Sequence, residues 1–541
     1  MFDYSGGNDL LGMLPFAALY AETHYRFRYF PFSLYYRKQP EIIFDCPLRI
    51  EPGKELPVLL MIKDADKFPV EAKTVTVKVS QNNQAIEEII ELNTKIDSSF
   101  WSQIIYIDTA DLPPGRLVVD CKVEIISNNK STIISNDNHP GLSHAPLTVL
   151  KAEHPLPQLA GWSAGELHCH TSFGTDQVEF GAPPDYYQRA AEAMGLSWVA
   201  LTDHAYNMDD LPDNYLINDP NLEKWAAFLS EVDRANQKNK NVVLVPGEEL
   251  TCRSATGKNI HLLMIGQRNF LIGTGDDAQN WFNTRSEHSV SEAINKIDPN
   301  AAAIAAHPLT PISFLERLLV NRDAWESEDL NQDGLTGWQI WNGQLDSGFH
   351  IGMDHWRKAL LDGKKTYIYA GNDAHGNFNR YRQIRLPMVS MRENSKHLFG
   401  KVTTRLKTGS SVTEESILNA LRLGKCSLSS GPVIDIKIVS KTGTAEIGDE
   451  IFIDPQANIQ IEFLTTPEFG KIKDIRLFGG GDNEELQQEN FPAESEPKLQ
   501  NWAGKLARPI LGNNYIRAEL TTEHKTGRLY HSFTNPIWVK K

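Results

Sequence analysis

Cysteine is scarce in this chain, and long apolar runs are lacking. The 541 residues include only five cysteines, which are Cys46, Cys121, Cys169, Cys252 and Cys426. Their odd number and wide spacing argue against a disulfide framework or a structural zinc knuckle. No stretch reaches the roughly eighteen consecutive apolar residues that a membrane-spanning helix needs. The sequence therefore predicts no membrane span and a reducing compartment, with the cytoplasm favoured and secretion as the alternative.

Positive charge is also in short supply. The chain has 54 Lys and Arg against 69 Asp and Glu, which gives a formal net charge of -15. Because nucleic-acid binding draws its affinity from basic side chains that neutralise phosphates, no broad nucleic-acid surface is expected. The apolar run LLGMLPFAALYA near the amino terminus follows the acidic start MFDYSGGND and contains Pro15. A secretory signal peptide would instead begin with a basic segment.

The length and the changing hydrophobic pattern predict three domains. Residues 40–150 contain short alternating segments such as KTVTVKVS and WSQIIYID, which are typical of an antiparallel β-sandwich. After Pro432 a second strand-like alternation begins, as in VIDIKIV and NIQIEFL. We therefore expect an N-terminal β-sandwich-like domain at 1–159, a central domain at 160–431 and a C-terminal β-rich domain at 432–541.

The central segment alternates apolar strands with helical stretches. Examples are LHCHT before DYYQRAAEAMG, and WVALTDH before LEKWAAFLSEVDRANQ. Strands that are apolar along their whole length, with helices between them, are typical of a parallel sheet covered by helices and closed into a barrel. In the helix expected at TEESILNALRLGKC, Thr413 is a candidate N-cap.

Histidines and carboxylates follow the apolar runs of this central segment in GELHCHT, ALTDHA, VPGEEL, IHLLMIG, AAHP and GNDAHG. Barrel enzymes place their sites at the carboxyl ends of the strands, so these side chains are expected to meet in space. Imidazole and carboxylate groups without clustered thiolates suit two or three divalent ions of zinc, manganese or iron. Taken singly, His261 or His307 could equally be a core histidine, but the joint pattern argues against coincidence.

Strand alternation selects among neighbouring side chains. His168 and His170 project to the same face of their strand and can bind one ion. If Asp203 shares the other face with Leu201, His204 is the ligand and Asp203 orients a neighbouring group. Adjacent Glu248 and Glu249 point to opposite faces, so normally only one of them reaches the metal ions.

These motifs resemble those of the polymerase and histidinol phosphatase (PHP) family, whose fold is a distorted (β/α)7 barrel with two or three metal ions. His168 and His170 match its H-x-H motif, Thr202 to His204 match T-D-H, and Gly247 to Glu249 match G-x-E. The strand histidines and the final D-x-H match the remaining elements, and Asp176 falls six residues after the second histidine of the first motif. The resemblance implies the following metal ligands: His168, His170, Asp176, His204, Glu249, His261, His307, Asp373 and His375.

The resemblance also implies three ion sites that share these ligands. The first would be formed by His168, His170, Glu249 and Asp373, the second by Glu249, His261 and His307, and the third by Asp176, His204 and His375. Clustered cations of this kind activate water and neutralise charge on substrate oxygens. Asp203 is predicted to assist catalysis. Arg380 and Arg382 follow the last motif and are predicted to hold a substrate oxyanion.

The function predicted from the sequence is a metal-dependent hydrolase that acts on a small-molecule ester, with phosphoesters favoured. The segment ALRLGKCSLSSGPVIDIKI and the β-rich tail resemble the carbaryl-hydrolase-like branch of the PHP superfamily, so carboxyl-ester or carbamate hydrolysis is the main alternative. An amidohydrolase barrel and a non-catalytic PHP-like interaction module rank below it. The sequence does not determine the oligomeric state.

Overall fold

The computed structural model describes residues 39–139, 144–174, 181–211, 214–273, 275, 284–312, 314–380, 383–386, 389–392, 395–481, 484–487, 503–510 and 514–540. The N-terminal run LLGMLPFAALYA, Asp176 and Arg382 lie outside these residues. The chain divides into two compact units. Unit 1 comprises Met1–Pro155, His170–Gly195 and Ala374–Phe399, and unit 2 comprises Leu156–Cys169, Leu196–Asp373 and Gly400–Lys541. The division into three domains stays a prediction.

The strands within the described residues are numbered in chain order. They are β1 (Glu41–Asp45), β2 (Arg49–Ile50), β3 (Leu56–Lys63), β4 (Val70–Gln81), β5 (Gln84–Ile96), β6 (Phe100–Ile107), β7 (Gly115–Ser127), β8 (Lys130–Ser135), β9 (Leu147–Lys151), β10 (Trp162–Cys169), β11 (Trp198–His204), β12 (Asp210–Leu211), β13 (Asn214–Asn218), β14 (Val243–Arg253), β15 (Asn259–Ile265), β16 (Ala302–Ala305), β17 (Gly337–Asn342), β18 (Tyr367–Gly371), β19 (Gln383–Leu386), β20 (Val389–Arg392), β21 (Thr403–Lys407), β22 (Cys426–Ser429), β23 (Val433–Ser440), β24 (Gly443–Glu446), β25 (Glu450–Phe452), β26 (Asn458–Leu464), β27 (Lys471–Gly480), β28 (Glu485–Gln487), β29 (Ala503–Pro509), β30 (Tyr515–Glu523), β31 (Leu529–Thr534) and β32 (Ile537–Lys540).

The α-helices of the described residues are fewer and mostly short. They are α1 (Pro184–Met194), α2 (Ala205–Met208), α3 (Glu223–Lys238), α4 (Val290–Ile294), α5 (Phe314–Leu319), α6 (Ser347–Leu361) and α7 (Glu414–Arg422). The predicted N-cap of α7 is confirmed, since the Thr413 side chain accepts a hydrogen bond from the backbone N–H of Ser416 at 3.1 Å. None of the helices in the described part of the chain combines the length and apolar character that crossing a membrane requires.

Unit 1 contains two sheets that share one apolar core. One has the order β1-β3-β6 and the other β2-β9-β7-β4-β5, with β8 paired to β7. Alternate side chains of β4, including Val75, Val77 and Val79, are buried in the same cluster as Leu60 and Ile62 of β3. Period-2 burial of this kind is what the sequence pattern predicts for a β-sandwich, and the structure agrees.

Unit 2 is built around one large mixed sheet. Its main path has the order β18-β17-β16-β15-β14-β11-β10-β21-β22-β31-β30-β27-β28. Strands β10, β11 and β14 run parallel to one another, and so do β16, β17 and β18. Strand β15 lies between these two groups and is antiparallel to both of its neighbours.

The predicted distorted (β/α)7 barrel of parallel strands is therefore corrected to a strand-rich fold with a mixed sheet. The reason lies in the connection between β14 and β15. Strand β14 ends at Arg253 and β15 begins at Asn259, and this connection is a hairpin rather than a helical crossover. A link this short can join only antiparallel neighbours, because a parallel pair needs a dozen or more connecting residues. The apolar run NIHLLMIG does not reveal its own direction, whereas the turn RSATGK before it does.

The same sheet continues into the C-terminal strands. Strand β22 pairs with β31, which in turn pairs with β30, and β30 pairs with β27. A separate sheet has the order β24-β23-β26-β29. Buried side chains from both sheets, among them Ile436, Ile461 and Leu520, form one apolar cluster. The large sheet of unit 2 thus contains β10, β11, β14 and β15. These strands carry histidines and carboxylates of the candidate site.

Candidate metal centre

Glu249 on β14 is enclosed by four histidines of unit 2. Its Oε1 lies 2.7 Å from Nδ1 of His261 and 3.3 Å from Nε2 of His307. Its Oε2 lies 3.0 Å from Nδ1 of His204 and 3.2 Å from Nε2 of His168. Each oxygen of one buried carboxylate therefore faces two imidazole nitrogens. These five residues and Asp373 are called the Glu249 cluster.

The strand register explains why these side chains meet. In the parallel pair of β11 and β14, His204 lies beside Glu249, and Asp203 lies beside Glu248. In the antiparallel pair of β14 and β15, His261 lies opposite Thr251, two residues from Glu249 and therefore on the same face. The potential ligand atoms of His204, Glu249 and His261 all lie within 4.8 Å of one another.

Asp373 and His307 complete the cluster from the ends of neighbouring segments. Oδ1 of Asp373 lies 3.3 Å from Nε2 of His168, and Oδ2 of Asp373 lies 3.9 Å from Nε2 of His307. Both Asp373 and His307 have positive φ angles, 53° and 32°. Non-glycine residues in this conformation carry backbone strain, which is common at functional sites. The surrounding fold therefore holds these two side chains in the cluster at a conformational cost.

Gln339 fixes the orientation of His168. Its Oε1 lies 2.9 Å from Nδ1 of His168, and both side chains are fully buried. A proton on Nδ1 would satisfy the Gln339 oxygen and make Nε2, which faces Glu249 and Asp373, the nitrogen that could bind a cation. This tautomer is the one that binds a cation through Nε2.

Glu166 connects the strand end of His168 with the residue before Asp373. Its carboxylate accepts hydrogen bonds from the backbone N–H groups of His168 at 3.2 Å and Asn372 at 2.9 Å. It also accepts one from Gly400 at 3.1 Å and one from the side-chain amide of Asn372. Burial raises the pKa of Glu166, while these donors lower it. The network positions two members of the Glu249 cluster relative to each other.

The electrostatics of the cluster favour a negatively charged Glu249. Burial alone would raise its pKa, but the neighbouring His261, His168 and His204 hold it well below its usual value. Burial lowers the pKa of His307. An imidazole that is neutral offers a nitrogen lone pair, and a carboxylate offers two oxygens, so the set matches the ligands that zinc, manganese and iron take.

Two further predicted ligands belong to unit 1. The rings of His170 and His375 are stacked, with centroids 4.0 Å apart and an interplanar angle of 2°. The backbone N–H of His170 donates to the carbonyl of Ala374 at 2.7 Å, and the Tyr187 hydroxyl donates to the carbonyl of His170 at 2.6 Å. In sequence each histidine stands two residues after a member of the Glu249 cluster. Their roles as metal ligands, and that of Asp176, stay predictions.

The contacts of Glu249 with imidazoles of unit 2 fall into two pairs. His261 and His307 share one oxygen of Glu249, as in the expected second ion site. His204 shares Oε2 with His168, and its expected place with Asp176 and His375 in a third ion site stays a prediction. The described residues of unit 2 thus place two imidazoles beside each oxygen of the Glu249 carboxylate.

Glu248 and Asp203 occupy the other face of their strands. The buried Glu248 accepts a hydrogen bond from the backbone N–H of Leu271 at 3.2 Å, and burial raises its pKa well above the usual value. Asp203 is fully buried beside it in the register. The catalytic role of Asp203 stays a prediction.

The predicted role of Arg380 is corrected, because its guanidinium is used inside unit 1. Its Nε donates to the carbonyl of Phe44 at 2.6 Å and its Nη2 to that of Ala145 at 2.9 Å. Its Nη1 pairs with the Asp137 carboxylate at 3.1 Å. A buried guanidinium with these partners is not available to clamp a substrate.

A different arginine lies at the cluster, and the sequence pattern did not single it out. Nη2 of Arg322 is 3.1 Å from Nδ1 of His261. Arg322, Gln339 and Glu166 were all missed because they follow none of the strand-end motifs used to find ligands. Only Glu166, two residues before His168 in GELHCH, carried a usable signal.

Comparisons with known proteins do not assign this chain to a family. No family model and no curated protein matches the chain. It is similar to solved structures of a glycosyl hydrolase family 2 member from Bacteroides cellulosilyticus, at 9% identity and TM-score 0.15, and of a β-glucuronidase from Parabacteroides merdae, at 7% and 0.18. It is also similar to a putative β-galactosidase from Bacteroides fragilis, at 11% and 0.19.

The extents of these matches are unequal. They cover 93%, 92% and 93% of this chain, but 63%, 64% and 74% of the respective structures. The chain thus spans less than two thirds of the length of the first two. Such low TM-scores carry no argument about the chemistry of this chain.

The expected membership of the PHP family is corrected by these findings. No family model supports it, and the solved structures named above are glycoside hydrolases. The prediction of a phosphoesterase, which followed from that membership, is also wrong. The chemistry of this chain is therefore inferred from the Glu249 cluster, which consists of Glu249, Asp373 and four imidazoles.

Proposed function

We propose that this chain is a metal-dependent hydrolase that cleaves ester bonds with a metal-activated water. The observation that carries this proposal is the Glu249 carboxylate, whose two oxygens each face two imidazole nitrogens at 2.7 to 3.3 Å. A carboxylate can bridge two cations, and imidazoles complete the coordination on either side.

The donor set fits divalent cations better than it fits a purely structural cluster. Four buried imidazoles around two carboxylates form no apolar core, and burying so many polar groups is costly unless each is strongly bound. Gln339 holds Nε2 of His168 toward the cluster, and Tyr206 stacks on His204 with ring centroids 4.7 Å apart. These supports preorganise the ligands. Zinc, manganese or iron is proposed as the bound metal, with two or three ions.

The residues of the cluster have distinct roles in the proposed reaction. Divalent ions supply a lowered pKa for water and neutralise charge on the substrate. Glu249, together with His261 and His307 on one side and His168 and His204 on the other, would hold them. Asp373 adds a carboxylate near His168 and His307. No side-chain nucleophile is required. Cys169 is fully buried, and its thiol donates to the carbonyl of Ala200 at 3.2 Å.

A small carboxylic ester or carbamate is the proposed substrate. The preference for phosphoesters came from the resemblance to the PHP family, which no family model supports. The predicted anion contact of Arg380 is also lost, because its guanidinium is used within unit 1. A neutral ester needs less fixed positive charge than a phosphate dianion.

The proposal is tested by measuring ester and carbamate hydrolysis by the full chain with and without added metal. Chelator-treated protein is assayed with 4-nitrophenyl acetate, an aryl carbamate and, as a control, an aryl phosphate, before and after addition of zinc, manganese or iron. We expect ester or carbamate cleavage that appears only with metal and is lost in Glu249→Gln. Cleavage that is equal with and without metal, or none with any ion, would refute the proposal.

A further inference from the structure

Asp209 directly follows α2 and is almost completely buried, with an exposed fraction of 1%. Its Oδ2 accepts a hydrogen bond from the side-chain amide of Asn218 at 2.6 Å. Its Oδ1 is also buried, but it meets no donor of regular hydrogen-bond geometry in the described part of the chain. Burying a carboxylate with one oxygen unsatisfied is costly, and a neutral carboxylic acid avoids the cost of the charge. The position of Asp209 therefore suits the protonated acid.

The surroundings of Asp209 are mostly acidic. Among the described residues, the charged or titratable groups that face it are Asp210 of β12, Lys224 of α3, Glu248 of β14 and Glu287 of the segment before α4. Nζ of Lys224 lies 3.2 Å from Oδ2 of Asp210 and 2.6 Å from the carbonyl oxygen of Asn207, so this cation is already paired. A negative charge on Asp209 would therefore be opposed by its neighbours.

These surroundings give Asp209 a pKa in the neutral range. Burial and the Asp210 carboxylate raise the pKa of Asp209 from 3.8 to about 7, and Glu287 adds to this effect. Lys224 and the backbone N–H of Asp209 itself lower it. Because the pKa is higher in the folded chain, the stability that protonated Asp209 contributes is present below about pH 4 and is lost as the pH rises through 7.

The short helix α2 joins Asp209 to the Glu249 cluster. All four residues of α2 are buried, and the helix packs against β11 and β14. Within α2, the ring of Tyr206 stacks on that of His204 with centroids 4.7 Å apart. After α2, the carbonyl of Asp209 accepts a hydrogen bond from the backbone N–H of Asp219 at 2.6 Å. A single helical turn has few hydrogen bonds of its own, so its position depends on the contacts on either side.

We propose that Asp209 makes the packing of α2 beside the Glu249 cluster depend on pH: protonated Asp209 keeps α2 in place, and ionised Asp209 loosens it. A loosened α2 withdraws the support of Tyr206 from His204 and lowers the rate of hydrolysis. The effect on hydrolysis rests on the proposed function. The loosening of α2 does not, because it can be measured without turnover.

The test compares the metal-loaded full chain with Asp209→Asn, which copies the neutral acid, and with the control Asp354→Asn. The side chain of Asp354 on α6 is 73% exposed and pairs with Arg357 at 3.4 Å. Hydrogen exchange of the backbone amides of residues 205–211 is measured by mass spectrometry between pH 5 and pH 8, and kcat/KM is measured with 4-nitrophenyl acetate. Because parent and variant are compared at each pH, the intrinsic pH dependence of amide exchange cancels.

We expect the exchange rate of the parent, relative to Asp209→Asn, to rise about tenfold or more from pH 5 to pH 8. Its relative kcat/KM should fall about threefold or more as the loosened form becomes the major one. Asp354→Asn should follow the parent at every pH. Glu287→Gln removes an exposed acidic neighbour, so it should lower the pKa of Asp209 and reduce the rise in exchange. This last comparison does not require Asp209→Asn to fold.

A ratio of exchange rates that stays constant with pH would overturn the inference. So would a control Asp354→Asn that loses the pH dependence in the same way as Asp209→Asn, or a Glu287→Gln variant with an unchanged rise. A parent chain that shows the expected exchange but hydrolyses no ester would refute the proposed function and leave the effect of Asp209 on α2 standing.

Discussion

Replacement of Glu249 by glutamine removes the charge at the centre of the cluster while keeping its shape. The amide retains one oxygen and replaces the other with a donor, so two of the four imidazole contacts face an NH2 group. The variant loses one oxygen ligand and the negative charge that would hold the cations. Because the loss of a group that only supports a ligand lowers metal affinity by about 10-fold to 100-fold, we expect this change to lower it by about 10²-fold or more.

The matched control is Glu248→Gln, which changes the adjacent residue on the opposite face of β14. Glu248 accepts from Leu271 and has none of the four imidazole contacts of Glu249. Metal content per chain is measured after dialysis, and affinity by competition with a chelator of known strength. Glu249→Gln should lose metal and turnover, and Glu248→Gln should retain metal. Equal metal loss in both variants, or full metal content in Glu249→Gln, would refute the assignment of Glu249 as the bridging ligand.

Three other changes test the supports of the site and the electrostatics of unit 1. Gly371→Ala would place a Cβ 3.0 Å from Cβ of His168 and 2.9 Å from Nε2 of Gln339. Because both contacts are too close, we expect chemical denaturation to show a stability loss of about 1 to 3 kcal/mol. We also expect a reduced metal content. Cys169→Ala should keep most of its ester turnover, because the thiol faces the carbonyl of Ala200; loss of rate with metal intact would indicate thiolate chemistry. Burial raises the pKa of Asp45 from 3.8 to about 7, so its contribution to stability is present below about pH 4 and is lost as the pH rises through 7. The stability of Asp45→Asn relative to the parent should therefore rise between pH 5 and pH 7, by up to about 1.4 kcal/mol per pH unit, and a difference that does not change with pH would contradict this.

The sequence predicted the local features that depend on periodicity. Alternation along VPGEEL separates Glu248 from Glu249, and the structure places Glu249 among the imidazoles and Glu248 on the other face. The N-cap at Thr413 follows from its side chain and the acidic first turn of α7. Features of this kind can be inferred because side-chain direction repeats every two or 3.6 residues.

Other features depend on contacts between distant segments. An apolar run that is buried on both faces has the same pattern whether it pairs in parallel or in antiparallel fashion, so the direction of β15 was missed. Arg380 was selected for its closeness in sequence to Asp373, but its partners are Phe44, Ala145 and Asp137. Arg322 lies next to His261 only because Asn259 joins two segments that are far apart along the chain.

Locating the bound ions is the most direct test of the central claim that Glu249 bridges a metal centre. Crystals of the full chain loaded with zinc or manganese would be measured on both sides of the metal absorption edge. The account predicts anomalous peaks on both sides of the Glu249 carboxylate, one beside His261 and His307 and the other beside His168 and His204. Fully loaded crystals with no peak at this carboxylate, or with peaks only at surface carboxylates, would contradict it.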